Sequence, residues 1–151
     1  QWDAQNTYEE FGEKAQIVKS EIKRRQVRFT YHNTMMSSME GVFARGDRKL
    51  SALLYRAWQL GCRFDGWTEH FDFAKWQQAF ADTGLSMAFY ANRERSYDEV
   101  LPWDHISVGV TKKFLMNERE KAMRAETTPN CRQKCSGCGA ASFGGGVCYE
   151  V

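Results

Sequence analysis

The stretch Val27-Arg28-Phe29-Thr30-Tyr31 alternates apolar and polar residues with a period of two, the pattern of a half-buried β-strand. A lone strand leaves its backbone amides and carbonyls without ladder partners, so it cannot stand as a sheet. Either the sheet lies upstream, outside these 151 residues, or the strand pairs with a partner. The rest of the sequence reads as helix, so the expected class is mostly α with one or two strands, an α+β chain.

Helical signals surround this stretch. Thr7 and Glu10 form the S/T-x-x-E capping pattern. Tyr8, Phe11, Ala15, Val18 and Ile22 follow at steps of three and four, which predicts an amphipathic helix over 7–26. A second capping pair, Ser37 and Glu40, predicts a helix start near Ser37. Gly46 interrupts that helix, and the apolar pattern resumes at Leu50 and stops at Gly61. Asp72 predicts the cap of another helix, with Phe73, Trp76 and Phe80 inward and Gly84 as its end. A short helix is expected over 85–92. Thr111 should cap the last helix, which runs to about Ala125 with a narrow apolar stripe. The order helix, strand, helix at the start suits the last unit of a β/α barrel or of an open α/β sheet.

Hydrophobic residues make up 42% and charged residues 26%, an ordinary globular balance. No apolar run approaches the roughly 18 residues of a membrane span, and no basic-plus-apolar leader is visible. A cytoplasmic location is expected. The net charge of +2 is too balanced to imply nucleic acid by itself. Lys19, Lys23, Arg24, Arg25 and Arg28 do cluster, as a solvated helix face or as an RNA-facing patch.

Four of the five cysteines fall in the last 21 residues. The odd count and the missing leader argue against a disulfide framework. Cys131, Cys135 and Cys138 have the spacing C-x3-C-x2-C, and Cys148 can add a fourth thiolate. Closely spaced thiolates are the preferred ligands of an iron–sulfur cluster. Ser136, Gly137 and Gly139 keep the loop slim. The alternative is a structural zinc site, although zinc ribbons more often pair two C-x2-C knuckles, which this tail lacks. Cys62, at a helix end among apolar residues, reads as a small buried hydrophobe.

Three further residues are candidates for a substrate or domain-interface surface. His32 follows the expected strand, and strand ends line the active site in parallel β/α arrangements. Asp104 stands beside His105 and can orient it. Trp103, Asp104 and His105 are also expected to pack as a fixed connector, with the Trp103 ring buried. No residue carries an assigned catalytic role. No P-loop, G-x-G-x-x-G or Ser/His/Asp set is present.

Several longer stretches resemble one family. Phe43-Ala44-Arg45-Gly46-Asp47-Arg48-Lys49-Leu50 and Phe64-Asp65-Gly66-Trp67 resemble segments near the barrel's end in an uncharacterised family of radical S-adenosylmethionine (radical SAM) proteins with a cobalamin (B12)-binding-type domain. The run from Leu101 to Gly109 resembles that family's LPWDHIDVGV stretch, with Ser107 in place of Asp. Thr127-Thr128-Pro129-Asn130-Cys131 and the cysteine trio resemble its TTPDCR ending, with Asn130 in place of Asp. Tyr31-His32-Asn33 departs from a WHD-like strand end. The resemblance spans about residues 13 to 149.

The resemblance implies three parts. Residues 1–62 would be the terminal α/β/α unit of a radical SAM barrel, 63–126 a helical C-terminal extension, and 127–151 a Cys-rich metal-binding tail. The cluster that cleaves S-adenosylmethionine, the S-adenosylmethionine itself and any cobalamin would belong to upstream segments. The cysteine trio comes too late in the chain for that cleavage and suits an auxiliary iron–sulfur site. The chain alone would then be inactive, with the upstream barrel and cobalamin-type domain as its partners. The alternative is a zinc-stabilised helical module that docks RNA or protein.

Overall fold

A computed structural model describes residues 2–144. Among the described residues five α-helices form: α1 (Tyr8–Glu21), α2 (Thr34–Arg45), α3 (Leu50–Gln59), α4 (Phe73–Thr83) and α5 (Lys112–Met123). A π-helical turn spans Ala88–Asn92, and a single 3₁₀ turn spans Ala140–Phe143. The fold is mostly α, and among the described residues there is no strand. None of the described helices is long and apolar enough to cross a membrane.

The chain divides into two compact units, one up to Pro102 and one from Trp103. The first unit runs uninterrupted through residues 62 and 63. In it α1 packs on α2, α2 on the π-helical turn, and α3 on α4. Its core joins Met39 and Val42 of α2, Leu53 and Ala57 of α3, and Trp76 and Phe80 of α4. The spacing of each pair, three or four residues, puts both members on one helix face. The Phe43 ring meets the Trp76 ring edge-on, with centroids 5.6 Å apart.

The caps explain the helix bounds. Thr7 and Glu10 satisfy each other's amides at the start of α1. α1 stops at Glu21, five residues before the expected end, where Ile22 turns to an extended backbone at φ −79°, ψ 99°. The Ser20 hydroxyl donates to the Ile17 carbonyl and Lys23 Nζ to the Ser20 carbonyl, which covers the frayed end.

α2 begins at Thr34, not near Ser37. Asn33 Oδ1 accepts from the amides of both Met35 and Met36, a stronger cap than the expected Ser37–Glu40 pair. Gly46 separates α2 from α3, since a Cβ there would lie 2.0 Å from Leu50 Cδ1 and 2.7 Å from the Val42 carbonyl oxygen. α3 closes with Gly61 at φ +89°, its amide on the Trp58 carbonyl and that of Cys62 on Ala57. Asp72 caps α4, and Gly84 ends it at φ +64°.

The expected strand is the main correction. Residues 27–33 form no helix, turn or strand. No second strand is at hand among the described residues to complete a ladder. Val27 and Tyr31 are exposed.

Candidate metal centre

The cysteine trio lies in the second unit, in the segment after α5. That segment is tied to the helix by a three-way polar node. Lys121 Nζ donates to Glu118 Oε1 at 2.8 Å and to Thr128 Oγ1 at 2.9 Å, and Thr128 Oγ1 donates to the same carboxylate oxygen at 2.8 Å. The Lys121 ammonium and the Thr128 hydroxyl hold the Glu118 carboxyl below the usual glutamate range.

Asn130 then builds the turn that starts the trio. Its Oδ1 accepts from the Arg132 amide at 3.0 Å, and its carbonyl accepts from the amides of Gln133 and Lys134. A side-chain oxygen that accepts from the amide two residues on is the Asx-turn geometry, which Asp makes equally well.

Cys138 is held most tightly. Gly137 and Gly139 flank it at φ +68° and +96°, both in the left-handed region that favours glycine. A Cβ on Gly139 would stand 2.5 Å from the Gly109 carbonyl oxygen and 2.9 Å from Thr111 Cγ2. The Thr111 amide donates to the Cys138 carbonyl at 2.9 Å, while Thr111 Oγ1 caps α5 by accepting from the Phe114 amide. The Ala140 amide points at Cys138 Sγ, 3.5 Å away. Amide hydrogen bonds to sulfur are one of the means by which proteins tune a metal-bound thiolate.

Cys131 and Cys135 are exposed, Cys138 is half-buried, and all three are free thiols. Cys148 lies outside the described residues. Among the described residues, no three His, Cys, Asp or Glu side chains are grouped as a metal site. The donor chemistry of the trio nevertheless suits a thiolate-bound metal, and the Ala140 amide beside Cys138 Sγ suits a thiolate there.

Comparison of the chain with protein-family models, with curated proteins and with solved structures finds no match.

The other candidate residues fall elsewhere. His32 belongs to the first unit, where it lines an open apolar cavity with Phe11, Val18, Phe29 and Tyr31. Asp104 Oδ2 stands 3.4 Å from Lys112 Nζ, an ion pair between the turn and the first residue of α5. His105 is exposed. Trp103 is 58% exposed, so the connector expected around a buried ring is not formed in that way. Cys62 is buried in the first unit's core, and burial pushes its thiol up from the ordinary value.

One arrangement escaped the sequence reading altogether. Arg45 Nη1 donates to the carbonyls of Asp3 and Ala91, and its Nη2 to that of Arg93. Arg95 Nη2 donates to the carbonyls of Arg45 and Tyr90. Burial is the first cause that lowers both guanidinium groups from their usual range, and the neighbouring arginines add to it. Glu99 answers this charge through a double hydrogen bond with Arg93, at 2.8 and 2.5 Å. Arg45 itself is plain in the sequence. Its partners, 42 to 48 positions away, carry no local signal.

Proposed function

We propose that this chain is the C-terminal part of a radical SAM protein, and that Cys131, Cys135 and Cys138 hold an auxiliary iron–sulfur cluster. Residues 1–62 then end the upstream barrel. S-adenosylmethionine, and any cobalamin, then bind upstream, in that barrel and its cobalamin-type domain. Cys148 or an external ligand completes the site. The observation that carries the reading is the C-x3-C-x2-C spacing, together with the backbone anchor of its last cysteine on Thr111. Thiolates are the ligands such clusters take. A bound cluster would supply one-electron chemistry, while the chain's own part is to offer three free thiols and to aim the Ala140 amide at one of them. The chain alone lacks the segments that bind S-adenosylmethionine and is inactive.

The test is anaerobic reconstitution followed by iron, acid-labile sulfide and zinc analysis. Iron and sulfide in cluster proportion, lost in Cys135→Ser, support the reading. Stoichiometric zinc without sulfide overturns it in favour of a zinc-stabilised module that docks RNA or protein. Formation of 5′-deoxyadenosine from S-adenosylmethionine by the isolated chain overturns the auxiliary role.

A further inference from the structure

We infer that residues 27–31, which form no strand by themselves, become a β-strand by adding to an open β-sheet edge on another stretch of polypeptide. The inference deepens the reading above, which supplies that sheet as the upstream barrel, but it involves none of the cysteines.

Three observations converge on it. The first is the backbone. A turn closes from Val27 to Arg24, and Asn33 starts α2, but no backbone-to-backbone hydrogen bond ties residues 28–32 to any described residue. Five consecutive peptides with free donors and acceptors are the template for strand addition.

The second is the side-chain pattern. The Phe29 and Tyr31 rings stack with centroids 5.5 Å apart and planes at 30°. Residues i and i+2 therefore already project to one side, as they do on a strand. Residues of high strand preference fill four of the five positions, Val27, Phe29, Thr30 and Tyr31.

The third is the neighbouring helix. Phe11, Ala15 and Val18 of α1 share with Phe29 and Tyr31 an open apolar cavity of about 390 Å³. Ile17 and Val18 stay exposed on that helix. A helix in an α/β layer covers more than one strand, and strands run about 4.8 Å apart. Here α1 has a single strand-like segment beside it, so an added strand fills the cavity and covers the helix face together.

Charge selects which sheet edge. Lys23, Arg24, Arg25 and Arg28 are all exposed in and around this segment. Basic residues along an edge repel a second copy of the same edge. The partner edge is therefore a different sequence, neutral or acidic opposite Arg28. A polyanion such as RNA meets the same cations, but the cavity wall is mainly apolar, with Lys14 and His32 as its basic side chains.

Hydrogen–deuterium exchange tests this on the 151-residue chain and on the longer radical SAM polypeptide that contains it. In the isolated chain the amides of residues 28–31 should exchange at the rate of unstructured peptide. In the longer polypeptide they should slow by at least about 100-fold. Equal, fast exchange in both overturns the inference. So does protection in the isolated chain, whether as a monomer, as a dimer seen by light scattering, or only after addition of polyuridylate.

Proline variants give a second readout. Neighbouring residues aim their amides at opposite edges, so Phe29→Pro or Thr30→Pro must remove a ladder donor. At least one should lower the melting temperature of the longer polypeptide while leaving that of the isolated chain unchanged. Thr30→Val should match the parent. If neither proline lowers the longer polypeptide's melting temperature, the inference fails. Iron and sulfide content reads the tail alone, so failure of the metal reading and failure of the strand are told apart.

Discussion

The Thr111 amide donates a 2.9 Å hydrogen bond to the Cys138 carbonyl, which joins the N-cap of α5 to the last cysteine of the trio. One residue thus starts the helix and fixes the loop. Gly139 makes the approach possible. Gly139→Ala adds a methyl 2.5 Å from the Gly109 carbonyl oxygen at φ +96° and must break this junction. Gly137→Ala meets nothing within 4 Å and carries only the left-handed backbone cost, roughly 1–2 kcal/mol. After anaerobic reconstitution, Gly139→Ala should lose most of its bound metal and Gly137→Ala should keep more of it. Equal retention would show that the junction does not hold the ligands.

The cysteines should also separate by reactivity. Cys62 is 7% exposed, and burial raises its thiol pKa. Cys131 and Cys135 are exposed and Cys138 half-buried. Limited alkylation of metal-free protein near neutral pH should label the tail and spare Cys62 until the first unit unfolds. Peptide mapping checks this. Labelling of Cys62 at the rate of Cys131 in folded protein would contradict its place in the core.

Stability should reside in the first unit's core and caps. Leu53 is 0% exposed, so Leu53→Ala should cost about 2–5 kcal/mol. Asn33→Ala removes one oxygen that accepts from two amides and should cost about 0.5–2 kcal/mol. Urea denaturation of both variants measures the difference. Asn33→Asp should restore most of the loss, because it keeps the acceptor.

Acid should reach the first unit through Glu99. Its two hydrogen bonds to Arg93 hold the carboxyl below the ordinary glutamate value of 4.5, against a smaller opposing effect of burial. The folded pKa is thus lower than the unfolded one. The stabilisation is complete above about pH 5 and fades as the pH falls through the folded value. Glu99→Gln should lower the melting temperature at neutral pH and flatten its decline below about pH 5. An unchanged slope in that window would assign the acid sensitivity to other carboxylates.

Local signals in the sequence were read well where the cause is local. Thr7 with Glu10, Asp72, Gly84 and Thr111 each act within a few residues, and each caps or stops a helix where its chemistry places it. The start of α2 was read late, since Asn33 competes with Ser37 and wins by capping two amides at once. Val27–Tyr31 has the period of a strand but forms none among the described residues, because periodicity reports a side-chain pattern and not the presence of a neighbour. Trp103 was expected inside on the strength of its size alone. In the tail, spacing showed the thiols but not the grip of Thr111 on Cys138, which crosses 27 positions and rests on backbone atoms that every residue has.

The arginine clamp on the chain's first residues has a practical meaning for anyone who shortens the protein. Trp2 is only 3% exposed, its carbonyl accepts from the Arg95 amide, and its ring meets Tyr97 edge-on. Asp3 lends a carbonyl to Arg45, Gln5 donates its amide to the Ala91 carbonyl, and Asn92 Nδ2 donates to the carbonyls of Gln5 and Asn6. These residues precede every helix, so they resemble a dispensable leader in a linear diagram. In three dimensions they are the inner lining that residues 90–97 lie against. A boundary drawn at the start of α1 would strip that lining, taking the Asp3 carbonyl from the half-buried Arg45 guanidinium and the Trp2 carbonyl from the backbone amide of buried Arg95.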